Sequence, residues 1–487
     1  LGFEYRMPRY EMLSEDALQM IHEKSLSVLK TTGVRVPHDS LLQILSDYGG
    51  RVDRKTFMVT FPEETVMKAI ETARKRHVLY GRDRRNTAEF GYGKFNFNGT
   101  SGQYQIIDEE TRTRRKPTLA DLREAIAVGN GLDSINIVGA VVVPQDIPGD
   151  ASDLVVLYEL LFSTTKPFCF WVFDGHAAKA AIEMMSAAAG GADELSSHPF
   201  YEILVEPVSP LSYRREGLDI LLEFATAGLP VNVCPMVQVG ASGPCSLSGT
   251  IVQENAEILS GIVITQAISP GLPVTYGCIP HVFDMKAAMI SFGSPEQALL
   301  AAAMTQLGKS YGFPVYSNTG LSDSKTLDAQ FGIESAATLV FGAMAGADIF
   351  GHLGITGADN AASLAQLIID DELASYCRRL FSGFGIDDLD ETLEEIKNVG
   401  IGGNFFGTEM TVRNFKREIW YPALFDRRAW DSWKQDGGRD TFDAAIEKKK
   451  KILKEAEENP LPQDEKLAAE LGRILRANGV EPPPRRS

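Results

Sequence analysis

The chain has 487 residues, 44% of them hydrophobic and 23% charged, with a formal net charge of −17 and a pI near 5.0. That acidic balance argues against a nucleic-acid binder, which needs a basic surface, and no apolar run reaches the ~20 residues of a membrane helix. Five cysteines (Cys169, Cys234, Cys245, Cys278 and Cys377), none at C-x-x-C spacing, point to free thiols in a reducing cytoplasm.

Residues 1–90 read as a helical preface. Ser14 caps a first helix running to about Thr32, Pro37-His38-Asp39 starts a second that ends at Gly49-Gly50, and Pro62 opens a third. Glu4, Arg6, Arg9 and Glu11 leave no apolar core for a signal peptide. The texture changes at residue 91. Strand-like runs near Phe95 and over 134–143, 168–173, 201–207, 231–237, 273–279, 314–319 and 348–353 alternate with helical runs over 119–130, 153–163, 177–189, 214–227, 250–267, 295–311, 326–345 and 361–381. Eight such pairs predict a (β/α)8 TIM barrel over 91–385 in an α/β chain. A doubly wound open sheet is the alternative, but Gly91-Tyr92-Gly93 lacks the third glycine of a phosphate loop. Residues 386–487 read as a helical region. Lys448 to Lys451 are expected on a solvated helix face, and the tail from Pro482 is expected to be disordered.

Barrel enzymes work at the C-terminal ends of their strands. Here those ends carry Phe97, Asn98, Gln145, Trp171, Phe173, Glu206, Met236, Gln238, Tyr276, Cys278, Tyr316, Asn318, Phe350 and His352, with His281 and Phe283 just beyond. Phe406 is expected to cover the mouth. No Gly-x-Ser-x-Gly or His-Glu-x-x-His occurs, which argues against acyl transfer and metalloprotease chemistry. Each aromatic alone reads as barrel packing. Together, Phe97, Trp171, Phe173, Tyr276, Phe283, Tyr316, Phe350 and Phe406 read as ring faces for a quaternary ammonium, each worth ~0.5–2 kcal/mol. Glu206, Gln238, Asn318 and His352 are the polar partners, and His352 is the candidate catalytic residue. No metal ligand set is visible.

Several segments resemble the trimethylamine methyltransferase family of corrinoid-dependent enzymes: Glu206-Pro-Val-Ser-Pro-Leu, Ser246-Leu-Ser-Gly-Thr250, the run Gln253 to Ile262, Phe292-Gly-Ser-Pro-Glu-Gln-Ala-Leu299, Gly320-Leu-Ser-Asp-Ser-Lys325 and Trp420-Tyr-Pro-Ala-Leu. The resemblance spans most of the chain. It implies a (β/α)8 barrel and methyl transfer from an amine to the cobalt of a cognate corrinoid protein, with no metal bound by this chain. No pyrrolysine stands among the 487 residues, which favours the branch resembling glycine betaine:corrinoid methyltransferase over the trimethylamine enzymes. Gly403-Asn404 replaces the family's glycine-histidine pair, implying a different substrate tail. Proline betaine, carnitine or trimethylamine as substrate, a zinc-thiolate or lyase chemistry on the same barrel, and a non-catalytic betaine-binding subunit stay open, as does homo-oligomerisation.

Overall fold

The structure is a computed structural model and describes residues 9–484. All eight expected strands form, shorter than the apolar runs that encode them: β1 Asn96–Gly99, β2 Val138–Gly139, β3 Phe168–Cys169, β4 Ile203–Val205, β5 Val231–Val233, β6 Val274–Cys278, β7 Val315–Ser317 and β8 Ile349–Leu353. Six of them build one parallel sheet in the order β4-β5-β6-β7-β8-β1, and β2 pairs with β3, also in parallel. The ends of the two sheets touch. Asn98 bridges Ile137, and the Phe168 N–H donates to the Phe200 carbonyl at 3.2 Å. A Cβ on Gly139 would lie 2.3 Å from the Thr100 carbonyl oxygen, so only glycine allows β1 and β2 to approach this closely.

A helix follows each strand and packs outside the sheets. Leu247–Ile268 is buried along nearly its whole length, because the N-terminal helices Glu15–Thr31, Asp39–Tyr48 and Glu63–Thr72 pack against it. A helix covered on several sides needs no polar stripe, and this one shows none. The N-terminal region is not purely helical. It holds an antiparallel sheet of Val34–Arg35, Met58–Thr60 and Arg51–Asp53, and a hairpin of His77–Tyr80 with Thr87–Phe90. These two- to four-residue strands lack a run long enough to show a period.

The last helices close on the outside of the strand–helix region. In Thr441–Glu458, Lys448 Nζ lies 3.1 Å from the buried Asp371 carboxylate and Lys449 Nζ 2.5 Å from Glu109. The lysine run is therefore only half solvated: its first two members anchor the helix. Beyond the buried Val480, Arg123 donates to the Pro484 carbonyl at 2.5 Å, so the tail is held as far as it is described. The remainder of the expected disordered tail, 485–487, lies outside the described residues. No helix among the described residues is long and apolar enough to cross a membrane.

Candidate active site

Side chains of a strand alternate between two faces, and this sorts the expected residues. Phe97 stacks on Phe350 at 5.1 Å, and Arg378 of the outer Leu364–Ser382 helix lies 4.8 Å over the Phe97 ring. Phe97 and Phe350 thus fill the layer between strands and helices, and both leave the site. Tyr276 also points outward, donating its hydroxyl to Asn255 Oδ1 at 2.9 Å on the buried helix. Phe406 is 91% exposed on the loop after Leu389–Val399. That segment leaves from the end of the Leu364–Ser382 helix where Phe381 packs on Phe95 and Arg378 donates to the Phe95 and Ser134 carbonyls, at the N-terminal ends of the strands. Phe406 does not cover the mouth.

The inward-facing residues do converge. Trp171, held by its indole N–H to the Gly102 carbonyl at 2.9 Å, has its ring 6.2 Å from His352. Tyr316 meets the same imidazole edge-on at 5.9 Å. The Asn318 amide donates to His281 Nε2 at 3.2 Å, and its backbone carbonyl accepts from Gln297 at 2.8 Å. Glu206, exposed just after β4, faces Asp359, Tyr316 and the buried Cys234 across a well at the strand ends. Phe173, Gln238 and Phe283 are partly exposed around the rim, the last on a hairpin of His281–Asp284 and Met289–Ser291.

His352 owes its aim to a bulge. The register of β8 against β1 shifts between Phe350 and Leu353, and His352 has a φ of 65°. A left-handed backbone costs a non-glycine residue about 1–2 kcal/mol, and bulges of this kind re-aim side chains beside functional sites. The loop after it is pinned where the Gly354 N–H donates to buried Asp370 at 2.8 Å. Gly351 makes room for the site: a Cβ there would fall 1.7 Å from Tyr316 Oη. Gly351→Ala should therefore displace the tyrosine and destabilise the fold by about 1–3 kcal/mol, read as a lowered midpoint in urea.

The wall of the well is acidic where the sequence showed only one carboxylate. Asp359, at a φ of 65° in the loop after β8, accepts from Gln103 Nε2 at 2.7 Å. Its charge reaches Glu206. Burial first, then Asp359, push the Glu206 carboxyl up to about 7, against a smaller opposing pull from Arg214. Asp359, itself open to solvent on one side, is raised as well by the protein packed around it, against the Gln103 hydrogen bond. Asp153, whose carboxylate accepts from the Phe173 N–H at 3.2 Å, is pushed up to about 6 by burial. Burial acts oppositely on the histidines, lowering His352 to about 4 and His281 to about 3, so both are neutral at physiological pH.

Polar atoms in this region lack partners. His352 Nε2, His281 Nδ1, Tyr316 Oη, Asn318 Oδ1 and Asn98 Oδ1 are buried without a hydrogen bond. Buried polar groups are normally paired, so these atoms are free to bond a polar partner at the strand ends. Asp359 and Gln103 were missed from the sequence. The available signal was the glycine-punctuated loop Gly354-Ile-Thr-Gly357-Ala-Asp359, which follows the last strand where barrel mouths are built. Burial pushes the Cys169 thiol up to about 12 and lifts Cys234 and Cys278 further, so all three are protonated. Among the described residues no three His, Cys, Asp or Glu side chains are grouped to hold a metal ion.

Parallel strands with crossover helices and an acidic, aromatic well at the strand ends define an α/β enzyme. Residues 2–473 match the trimethylamine methyltransferase (MTTB) family, and the chain belongs to that family of methyltransferases. It is 33% identical over 432 residues to a glycine betaine methyltransferase of Desulfitobacterium hafniense strain Y51, covering 88% of this chain and 90% of that protein. It is likewise 33% identical over 463 residues to the trimethylamine methyltransferase MttB of Desulfitobacterium hafniense strain DCB-2, covering 95% and 92%. Among solved structures, a hydroxylamine complex of MtmB is similar in fold, with a TM-score of 0.50 at 10% identity over 92% of this chain and 93% of that one.

Proposed function

We propose that this protein transfers a methyl group from a quaternary ammonium, glycine betaine foremost, to a corrinoid carried by a partner protein, in the cytoplasm. The single observation that carries the substrate class is the Glu206–Asp359 pair: Glu206 lies within electrostatic reach of Asp359 and Tyr316, and Asp359 accepts from Gln103, next in the chain to the Gly102 that holds Trp171. Two carboxylates in one well repel each other, and a permanent cation between them and the ring faces relieves that repulsion. Similarity to the glycine betaine enzyme supports the particular donor. We also propose that the two sheets close into one eight-stranded barrel. The Asn98–Ile137 bridge and the Phe168–Phe200 hydrogen bond support that closure.

The corrinoid, when its carrier docks, supplies a reduced cobalt nucleophile. This chain's part is binding and orientation. Glu206 and Asp359 hold the onium charge, and Trp171 and Tyr316 pack its methyl groups. The neutral His352, with Nε2 unpartnered, can donate to the substrate carboxylate. The amine departs neutral, so no general acid is needed. Grip on the positive charge is lost as the reaction proceeds, so the rate depends on alignment of the N-methyl toward the mouth. Apolar side chains at the rim, Tyr104, Phe173, Val208, Met285 and Met289, are exposed and give the carrier a surface to meet.

Purified protein mixed with a cobalt(I) corrinoid and glycine betaine should yield dimethylglycine and the absorbance of a methyl–cobalt bond. Turnover with proline betaine, carnitine or trimethylamine alone moves the substrate assignment. Tight betaine binding with no demethylation in the presence of the cognate carrier identifies a binding subunit instead.

A further inference from the structure

A basin of about 640 Å³ opens at the N-terminal ends of β4, β5 and β6, the end of the fold away from the well. One wall is the extended stretch 74–80, whose side chains alternate between two faces. Arg74, Arg76, Val78 and Tyr80 line the basin. Lys75 turns the other way, with Nζ 5.4 Å over the Phe313 ring, and the His77 side chain turns inward to Glu202 at 2.8 Å. The stretch is stitched to the start of β6: the Arg74 N–H donates to the Leu272 carbonyl at 3.3 Å, and the Arg74 carbonyl accepts from the Val274 N–H at 3.2 Å. Both guanidiniums are exposed, and among the described residues neither has a carboxylate at ion-pair distance. Arg76 lies 5.6 Å from the Tyr92 ring, a contact that orients its charge without neutralising it.

We infer that this basin is a second ligand site, and that it takes a small anion carrying phosphate groups. In a chain of net charge −17, no Asp or Glu lines it among the described residues. Its floor is Pro199, Pro230 and Pro273, just ahead of the three strands, and their carbonyls already accept from the Tyr80, Ile203 and Val231 N–H groups at 2.8, 3.1 and 3.2 Å. The facing rim, at Ser197 and Ser269, ends the helices Ala192–Ser197 and Leu247–Ile268, where the His198 and Ser269 N–H groups donate back to the Glu194 and Thr265 carbonyls. These carbonyls thus have donors of their own, and the positive charge is left for a ligand. A guanidinium fork matches phosphate oxygens two at a time. Two forks two residues apart on an extended chain, roughly 6.5 Å between their backbones, suit linked phosphates better than a single carboxylate. The volume is that of a small-molecule site. An anion there bridges the 74–80 stretch to the helix ends across the basin, so binding should stabilise the fold.

Titration calorimetry of the full chain with magnesium-free pyrophosphate, at constant ionic strength, should show saturable submillimolar binding, and pyrophosphate should raise the thermal midpoint. The double variant Arg74→Gln/Arg76→Gln should weaken binding by about 100-fold, about tenfold for each guanidinium lost. Lys75→Gln removes the same charge from the opposite face and should change the affinity by less than about twofold. Magnesium-free ATP identifies the source of the phosphate. An affinity no greater than that of pyrophosphate makes the phosphate chain the whole ligand, and a greater one adds a base against the Tyr80 and Tyr92 rings; both support the site. No saturable binding of either probe up to about 10 mM overturns the inference. So does a Lys75→Gln loss as large as that of the arginine pair, or displacement of pyrophosphate by glycine betaine, which would put the anion in the well. Should the double variant not fold, Arg76→Gln alone must show the tenfold loss.

Discussion

Glu206→Gln lowers affinity for a quaternary ammonium by about 100-fold. A unit charge ~5 Å from the onium, at an effective dielectric of ~20, contributes roughly 3 kcal/mol, and each 1.4 kcal/mol is about tenfold. The wild-type protein adds a pH signature that the variant lacks. Glu206 is held near 7 by burial and by Asp359, so the charge that grips the substrate appears only as the pH rises through about 7. Betaine affinity should therefore climb between pH 6 and pH 8. The stability of the free protein runs the other way. A carboxyl whose folded value is about 7 against an ordinary 4.5 binds more protons folded than unfolded, so it costs stability as the pH rises through that window. A bound cation should offset the cost, making the thermal shift on adding betaine larger at pH 8 than at pH 6. Titration calorimetry of both proteins checks this. Equal affinities, or a wild-type affinity flat across that range, would remove the acid pair from substrate binding.

His352→Ala separates the two ends of the substrate. Loss of one donor to a carboxylate, worth ~1.5–3 kcal/mol, should weaken glycine betaine by about 10- to 100-fold. Tetramethylammonium, which has no carboxylate, should bind the variant as it binds the wild type. His352→Asn is the backbone control, because asparagine tolerates a left-handed φ. It should keep the bulge and recover part of the betaine affinity. Since burial holds His352 near 4, neither effect should depend on pH between 6 and 8. Equal losses for both ligands in the alanine variant would make His352 a packing residue.

Legibility differed sharply between elements. The helices of the alternating region lie within a few residues of where the apolar period puts them; Ser294 caps Pro295–Ser310 and Asp174 caps Gly175–Ala189, as polar residues ahead of an apolar helix should. Strand positions were equally plain, but strand faces were not. Runs such as Val274–Cys278 are buried on both sides, so no alternation marks which residue looks inward. Taking every aromatic near a strand end therefore swept in Phe97, Tyr276 and Phe350, which belong to the helix layer.

The residues that complete the well lie far apart in sequence. Glu206 and Asp359 meet only because β4 and β8 deliver their loops to one end of the fold, and the orphaned nitrogens of His281 and His352 share that end although their strands are not neighbours. No spacing rule encodes such a meeting.

The sequence by itself determined the alternation of strand and helix and the family. Those follow from periodicity and from motifs local along the chain. Tertiary structure alone decided which strand-end side chains face the well, that two acids rather than one line it, and that Lys448 and Lys449 dock a helix on buried and half-buried carboxylates. Each depends on the pleat phase and on contacts between distant segments, and burial, by stripping away water, turned those contacts into shifted protonation and unpaired donors.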